Sequence, residues 1–283
     1  MKASTEWLTS MGSEFSAGVG RFGVAPLTHY TVNYREWGEG SPLILVPGLA
    51  GGYELLGPLA RLLARHFRVI SYQLRGEDDC FALRRHFDLA DLVTDLNEFL
   101  DSRGLERPAV LGVSFGGVLA LELAVRKPGR LRALCVQGTG AVLDHGLLQR
   151  VASMVLARFP LPTDSPFVNQ FFNLLFGGRR TPEPLARFVT RQCWQTDQSV
   201  MAHRFAMLDG FDIRSRLGRV RVPTLAVAGD RDLLVSPRNL AALAEGIKGS
   251  RLETLSGCGH LAFVTRPDLV AEQVRSAAAR WGG

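Results

Sequence analysis

The sequence predicts an α/β protein: a mostly parallel central sheet flanked by helices, with an inserted helical cap. Three observations carry this expectation. Short apolar runs alternate with amphipathic helical stretches along most of the chain, the pattern of strands covered on both faces by crossover helices. One of these runs leads straight into a glycine-flanked serine and out into an apolar helix. Between Ala141 and Asp212 the alternation stops, and helical patterns broken by Pro160, Pro162, Pro166, Pro182 and Pro184 take over.

Residues 28–37 alternate polar and apolar side chains and predict an early strand, closed by the turn 38–42. Residues 43–46, Leu-Ile-Leu-Val, are a buried strand ending at Pro47-Gly48. A helix is expected over 53–66 and a strand over 67–72. In 88–103, Leu89, Leu92, Val93, Leu96, Phe99 and Leu100 form a helical stripe opened by acidic residues. Residues 109–113 predict a strand, 115–126 a helix and 131–136 the next strand. Late in the chain, strands at 224–228 and 251–255 are each followed by a helix, near 237–247 and 267–280. The domain expectation is a loosely ordered Ser- and Gly-rich arm over 1–25, a core from 26–140 and 213–283, and a helical cap over 141–212.

With 283 residues, 46% of them hydrophobic, the chain can bury a substantial core. No apolar run approaches the ~18–20 residues of a membrane span. The first 25 residues carry Glu6, Glu14 and Arg21 and no continuous apolar stretch, so a secretory signal is not expected and a cytoplasmic location is. Cys80, Cys135, Cys193 and Cys258 are scattered, which argues against a zinc site or a disulfide framework. The formal net charge of +6 raises the question of nucleic acid. Only Lys2, Lys127 and Lys248 are lysines, however, and the arginines are spread over the whole chain without a basic tract or interleaved aromatics. Nucleic-acid binding is not expected.

The central motif is Gly112-Val113-Ser114-Phe115-Gly116-Gly117. A strand-to-helix turn this sharp strains the serine, and side chains at Gly112 and Gly116 would collide across it. The turn lifts the hydroxyl above the sheet at a helix N-terminus, where free N–H groups favour developing negative charge. A glycine-rich turn with the serine as an ordinary helix cap would also explain the glycines, but not the apolar strand and helix on either side.

From about Thr28 to its C-terminus the chain resembles the α/β-hydrolase superfamily, in particular its capped, esterase-like members. The strand–elbow–helix motif and the chain order of the later polar residues carry the resemblance. It implies a serine nucleophile, Ser114, served by an acid and then a histidine later in the chain. After the 224–228 strand comes Gly229-Asp230-Arg231-Asp232; the family's G-x-x-D spacing selects Asp232 over Asp230, which reads as a turn residue. After the 251–255 strand, Ser256-Gly257-Cys258-Gly259-His260 ends in the expected base. Of six histidines, His260 alone closes such a loop; His29 and His66 read as surface residues, and His86, His145 and His203 lie in loops or the cap.

The family's oxyanion loop, H-G-x-x-G, has its counterpart in Pro47-Gly48-Leu49-Ala50-Gly51, with Pro47 in place of the histidine. By that correspondence the backbone amides of Leu49 and Phe115 are the oxyanion donors, and the substitution leaves both in place. A second departure is Gln73-Leu74-Arg75-Gly76-Glu77-Asp78-Asp79, where relatives commonly have D-x-R-G-x-G-x-S. Gln73 stands for the aspartate, and the loop is expected to be rebuilt around the acidic cluster.

The resemblance implies a two-step acyl transfer on a small, partly apolar, ester-like molecule, without metal or organic cofactor. A serine at the elbow argues against the dehalogenase-like and epoxide-hydrolase-like members, which use aspartate. Carbon–carbon bond hydrolases, thioesterases and a catalytically silent ligand-binding member remain as alternatives. Two apolar clusters, Phe167, Phe171, Phe172, Leu174, Leu175 and Phe176, then Phe205, Met207, Leu208 and Phe211, are expected mostly to pack the cap onto the core, with a few lining an acyl pocket.

Overall fold

The structure, a computed structural model, describes residues 20–77, 87–142, 147–158, 162, 166–178 and 181–281. Eight strands form one sheet: β1 (Arg21–Pro26), β2 (Thr31–Trp37), β3 (Pro42–Val46), β4 (Arg68–Tyr72), β5 (Ala109–Val113), β6 (Ala133–Gln137), β7 (Thr224–Gly229) and β8 (Arg251–Leu255). Their spatial order is β1-β2-β4-β3-β5-β6-β7-β8. β1 and β2 pair antiparallel with each other, β2 antiparallel with β4, and β3 to β8 are parallel.

The central strands are short because they are covered on both faces, so every residue of β5 and β6 is buried. Ile44, Val46, Val110, Leu134 and Val136 point to one apolar layer. Leu43, Leu45, Leu111, Val113 and Cys135 point to the other. Each such side chain removed from water contributes roughly 1.5–3 kcal/mol before entropy is counted.

The helices are α1 (Gly52–Leu55), α2 (Gly57–Leu63), α3 (Leu89–Ser102), α4 (Phe115–Arg126), α5 (Leu147–Arg158), α6 (Pro166–Leu175), α7 (Glu183–Cys193), α8 (Gln198–Ala206), α9 (Pro237–Gly246), α10 (Ala262–Thr265) and α11 (Pro267–Ala278). α3, α4 and α9 cover the first layer; α1, α2, α10 and α11 cover the second. α3 begins where the acidic residues indicate: Asp88 and Asp91 form a reciprocal capping box. Helices α5 to α8 lie between β6 and β7, and the Val142–Asp212 bridge draws the two ends of that segment together. Among the described residues, no helix is long and apolar enough to cross a membrane.

Three expectations need correction. Residues 21–25, read as part of an arm, belong to β1. Small inward residues hide that strand: a side chain at Gly23 would meet the Tyr34 ring at 2.3 Å, and one at Gly20, just before it, would meet the Trp37 ring at 2.6 Å. The rest of that expected arm, residues 1–19, lies outside the described residues. The early strand starts at Thr31, because Leu27 N–H bonds to the Tyr30 carbonyl and makes 27–30 a turn. The helix expected over 53–66 is two helices, since Gly57-Pro58 starts a new first turn in which proline fits.

Candidate active site

The site is built where β5 meets α4. Ser114 has φ 51° and ψ −116°, the only non-glycine with positive φ among the described residues. Such a conformation costs on the order of 1–3 kcal/mol and persists only when its surroundings enforce it. The enforcement is visible. Ser114 N–H donates to the Gln137 carbonyl at 2.8 Å. Its own carbonyl accepts from the Thr139 hydroxyl at 2.8 Å and from Gly117 N–H at 2.9 Å. A Cβ at Gly112 would lie 2.4 Å from the Gly116 carbonyl oxygen, and one at Gly116 would lie 2.3 Å from that of Val46. Both glycines are therefore steric requirements of the turn.

His260 follows β8 at the head of α10, and Asp232 follows β7. Both stand beyond the carboxyl ends of parallel strands, beside the elbow, where an open parallel sheet gathers its ligands. His260 Nε2 lies 2.9 Å from Ser114 Oγ. Its Nδ1 lies 2.9 and 3.1 Å from the two Asp232 oxygens. A carboxylate only accepts, so Nδ1 carries the proton and Nε2 is left to accept from the serine hydroxyl. Gln137 Nε2 donates to the His260 carbonyl at 3.1 Å and fixes the ring from its backbone side. Asp230 turns away: its Oδ1 accepts from Gly257 N–H at 2.7 Å and braces the His260 loop.

Burial alone would raise the Asp232 pKa. The neighbouring His260 and hydrogen bonds from His260 and from the amides of Leu234 and Val235 outweigh it, holding the carboxyl below its ordinary value. A folded pKa below the unfolded one, about 3.9, means stability that is fully present above that value. It is lost as pH falls through the lower folded value. Urea unfolding of wild type and Asp232→Asn at pH about 6 and about 3 should therefore show the wild type losing more stability on acidification. Equal losses would show that the carboxylate is not held in the folded state.

Ser114, His260, Leu49 and Phe115 open into one cavity of about 190 Å³ between the strand ends and the helices of 147–206. Phe115 is the first residue of α4, so its amide has no partner within the helix. For the Leu49 amide no acceptor is found among the described residues. Leu55, Val118, Leu234 and Val235 line the cavity from the sheet side; Phe171, Phe172, Leu175, Phe205, Leu208 and Phe211 line it from the other. More of the two apolar clusters faces the cavity than the few side chains expected, because the helices present their apolar stripes inward over the site. Leu174 is exposed, and the Phe167 side chain lies outside the described residues. Trp194, Met201 and Leu156 also line the cavity. Among the described residues, no Asp, Glu, Lys or Arg does.

Gln73 is buried, and Arg75 forms a buried ion pair with Asp95 at 2.6 Å. Glu77 points into the protein and is buried; Asp78 and Asp79 lie outside the described residues, as do Cys80, His86 and His145. Cys135, Cys193 and Cys258 are buried free thiols, and burial pushes the Cys193 thiol up to about 12. Among the described residues, no three His, Cys, Asp or Glu side chains gather so as to hold a metal. Sequence reasoning passed over Gln137 and Thr139. The available signal was their place: polar residues at the end of β6, the strand beside the elbow strand.

A strained serine at a strand–helix elbow, hydrogen-bonded to a histidine and through it to a carboxylate, is an arrangement chemically able to draw a proton from a hydroxyl. The chain belongs to the alpha/beta hydrolase fold family, whose model matches residues 41–267. A protein of Azorhizobium caulinodans named "Putative carbamate hydrolase RutD" is 27% identical over 245 residues, covering 85% of this chain and 92% of that one. A hydrolase from Pseudomonas aeruginosa superposes with a TM-score of 0.78 at 26% identity, over 92% of this chain and 99% of its own. A thermophilic esterase from Thermogutta terrifontis shares the fold, with a TM-score of 0.79 at 20% identity, over 93% of this chain and all (100%) of its own.

Proposed function

We propose that this protein is a serine hydrolase that cleaves an uncharged ester with an apolar acyl group through an acyl-enzyme. The observation that carries the reading is the alignment of Ser114, His260 and Asp232 at the floor of a cavity with apolar walls and no Asp, Glu, Lys or Arg among its described lining residues. His260 takes the Ser114 proton as Oγ attacks the carbonyl carbon, a general-base contribution of about 10²–10⁴-fold. Asp232 holds the imidazole tautomer and balances the imidazolium that forms. The amides of Leu49 and Phe115 receive the oxyanion; one such donor is worth about 10²–10³-fold in kcat. His260 then protonates the leaving alcohol, and a water activated by the same ring releases the acyl group. The helices of 141–212 act as a cap that excludes water above the serine. A cytoplasmic location belongs to this proposal, as does the absence of a cofactor.

The name of the Azorhizobium relative points to carbamates, and a thioester or carbon–carbon bond could be cut by the same three groups. A small carbamate would leave the aromatic walls of a 190 Å³ cavity unfilled. A substrate bearing a carboxylate would find no Lys or Arg among the described lining residues to receive it. A thioester with an apolar acyl group fits as well as the ester.

A panel of esters from acetyl to dodecanoyl, with the matching thioesters, a carbamate and a succinyl half-ester, tests this. Each buried methylene should raise kcat/KM about fourfold until the cavity fills, after which the value falls. The succinyl ester and the carbamate should be at least about 100-fold poorer than the best apolar ester. A flat series, or preference for the charged or carbamoyl group, would contradict the assignment.

A further inference from the structure

Arg204 of α8 has no solvent exposure and is the largest fully buried side chain among the described residues. Its Nη1 donates to the Leu49 carbonyl at 2.8 Å and to Glu77 Oε1 at 2.7 Å. Nη2 donates to the Arg75 carbonyl at 3.0 Å. The Thr196 hydroxyl stands beside the same carboxylate, 3.2 Å from both oxygens, and accepts from Gly51 N–H at 2.9 Å. One buried cluster thus grips the loop after β3 twice, at the carbonyl of residue 49 and the amide of residue 51. It reaches that loop from the helical segment, 155 residues away in the chain.

A buried ion pair is a weak device for stability, since apolar side chains of similar volume often do as well. Here, though, the guanidinium spends two of its bonds on backbone carbonyls, one of them that of Leu49, a residue that lines the cavity above Ser114. The Leu49 carbonyl belongs to the Leu49–Ala50 peptide and the Leu49 amide to the Gly48–Leu49 peptide. Pinning that carbonyl and the Gly51 amide holds the rigid planes on the C-terminal side of Leu49, so the Leu49 amide turns only through the φ and ψ of that one residue and the planes before it. An oxyanion donor is useful only if it is in place before charge develops. Glu77, at a variable position of the family's loop pattern, gives the arginine its counter-charge.

We propose that Arg204, held by Glu77 and Thr196, is a positioning residue that sets the oxyanion loop through the Leu49 carbonyl. The proposal rests on the serine-hydrolase reading above. It places the strut for the loop in the helical segment, so the same α8 that lines the cavity with Met201 and Phe205 also fixes the Leu49 peptide.

The test is the double variant Arg204→Met/Glu77→Met, which removes both charges together and keeps an apolar filling. Expected are a melting temperature near wild type and KM for the best ester unchanged within about threefold. kcat should be lower by about 10–100-fold. Affinity for an alkyl boronic acid, which binds as a tetrahedral adduct, should fall by the same factor as kcat. Amide hydrogen exchange of the peptide 47–53 should accelerate. Arg204→Lys, which keeps one donor, should recover part of kcat. A folded double variant with wild-type kcat, boronate affinity and loop exchange would overturn the proposal. If the double variant does not fold, Thr196→Val decides: it removes only the Gly51 anchor and should lower kcat about 3–10-fold with faster loop exchange. Wild-type values for Thr196→Val would overturn the proposal equally. A wild type that turns over no ester and takes no serine label would instead overturn the hydrolase reading. Loop exchange in the variants then decides whether the strut holds the loop at all.

Discussion

Replacing Ser114 with alanine should lower turnover of the best ester by about 10⁴–10⁶-fold while the protein stays folded. The loss is large because in the proposed mechanism the hydroxyl oxygen bonds to substrate; the Thr139 hydroxyl, which also lines the cavity, is committed to the Ser114 carbonyl. Cys193, the one thiol on the cavity wall among the described residues, is buried with its pKa pushed up, so it is a poor nucleophile. Stability changes little for a separate reason. The Ser114 side chain caps no helix, and its hydrogen bond is to His260, worth about 0.5–1.5 kcal/mol. The backbone strain at φ 51° is the same with alanine, and the bonds that enforce it come from the Gln137 carbonyl and the Thr139 hydroxyl, which remain. Thermal melting alongside steady-state kinetics checks both halves. Retained activity in a folded variant would remove Ser114 from the chemistry.

Asp232→Asn should cut kcat by about 10⁴-fold with KM nearly unchanged. The carboxylate accepts from Nδ1 through both oxygens. An asparagine amide in the same place offers its NH₂ toward Nδ1, which stabilises the tautomer with the proton on Nε2. That proton then faces Ser114 Oγ, 2.9 Å away, and the ring can no longer accept from the hydroxyl. Asp232 does not line the cavity and its side chain is fully buried against His260, so binding is expected to be spared. A large rise in KM with unchanged kcat would indicate that Asp232 only shapes the cavity.

The first of these expectations rests on a residue that local sequence marks strongly. The elbow could be read because its glycines are demanded within six residues of chain, at Gly112, Gly116 and Gly117, and because the strand and helix around it are apolar throughout. His260 and Asp232 were found through the family's order and spacing, which the residues themselves do not dictate. The strut was hidden for a physical reason: Arg204 and Glu77 are 127 residues apart, and each reads locally as an ordinary surface charge. Arg204 sits between His203, which reaches the Phe87 carbonyl, and Phe205, which lines the cavity, so its direction is set by packing of the helical segment and not by neighbours in sequence. β1 escaped notice because Gly23 and Ala25 give its inward face almost no hydrophobic signal. The break at Gly57-Pro58 was masked by an apolar periodicity that runs through both short helices.

The most direct test of the central claim is covalent labelling with a fluorophosphonate, followed by peptide mass mapping of wild type and Ser114→Ala. The account predicts one adduct in the wild type, on the peptide containing Ser114, and none in the variant. An adduct elsewhere in the wild type, labelling that persists in Ser114→Ala, or a folded wild type that does not react would contradict it.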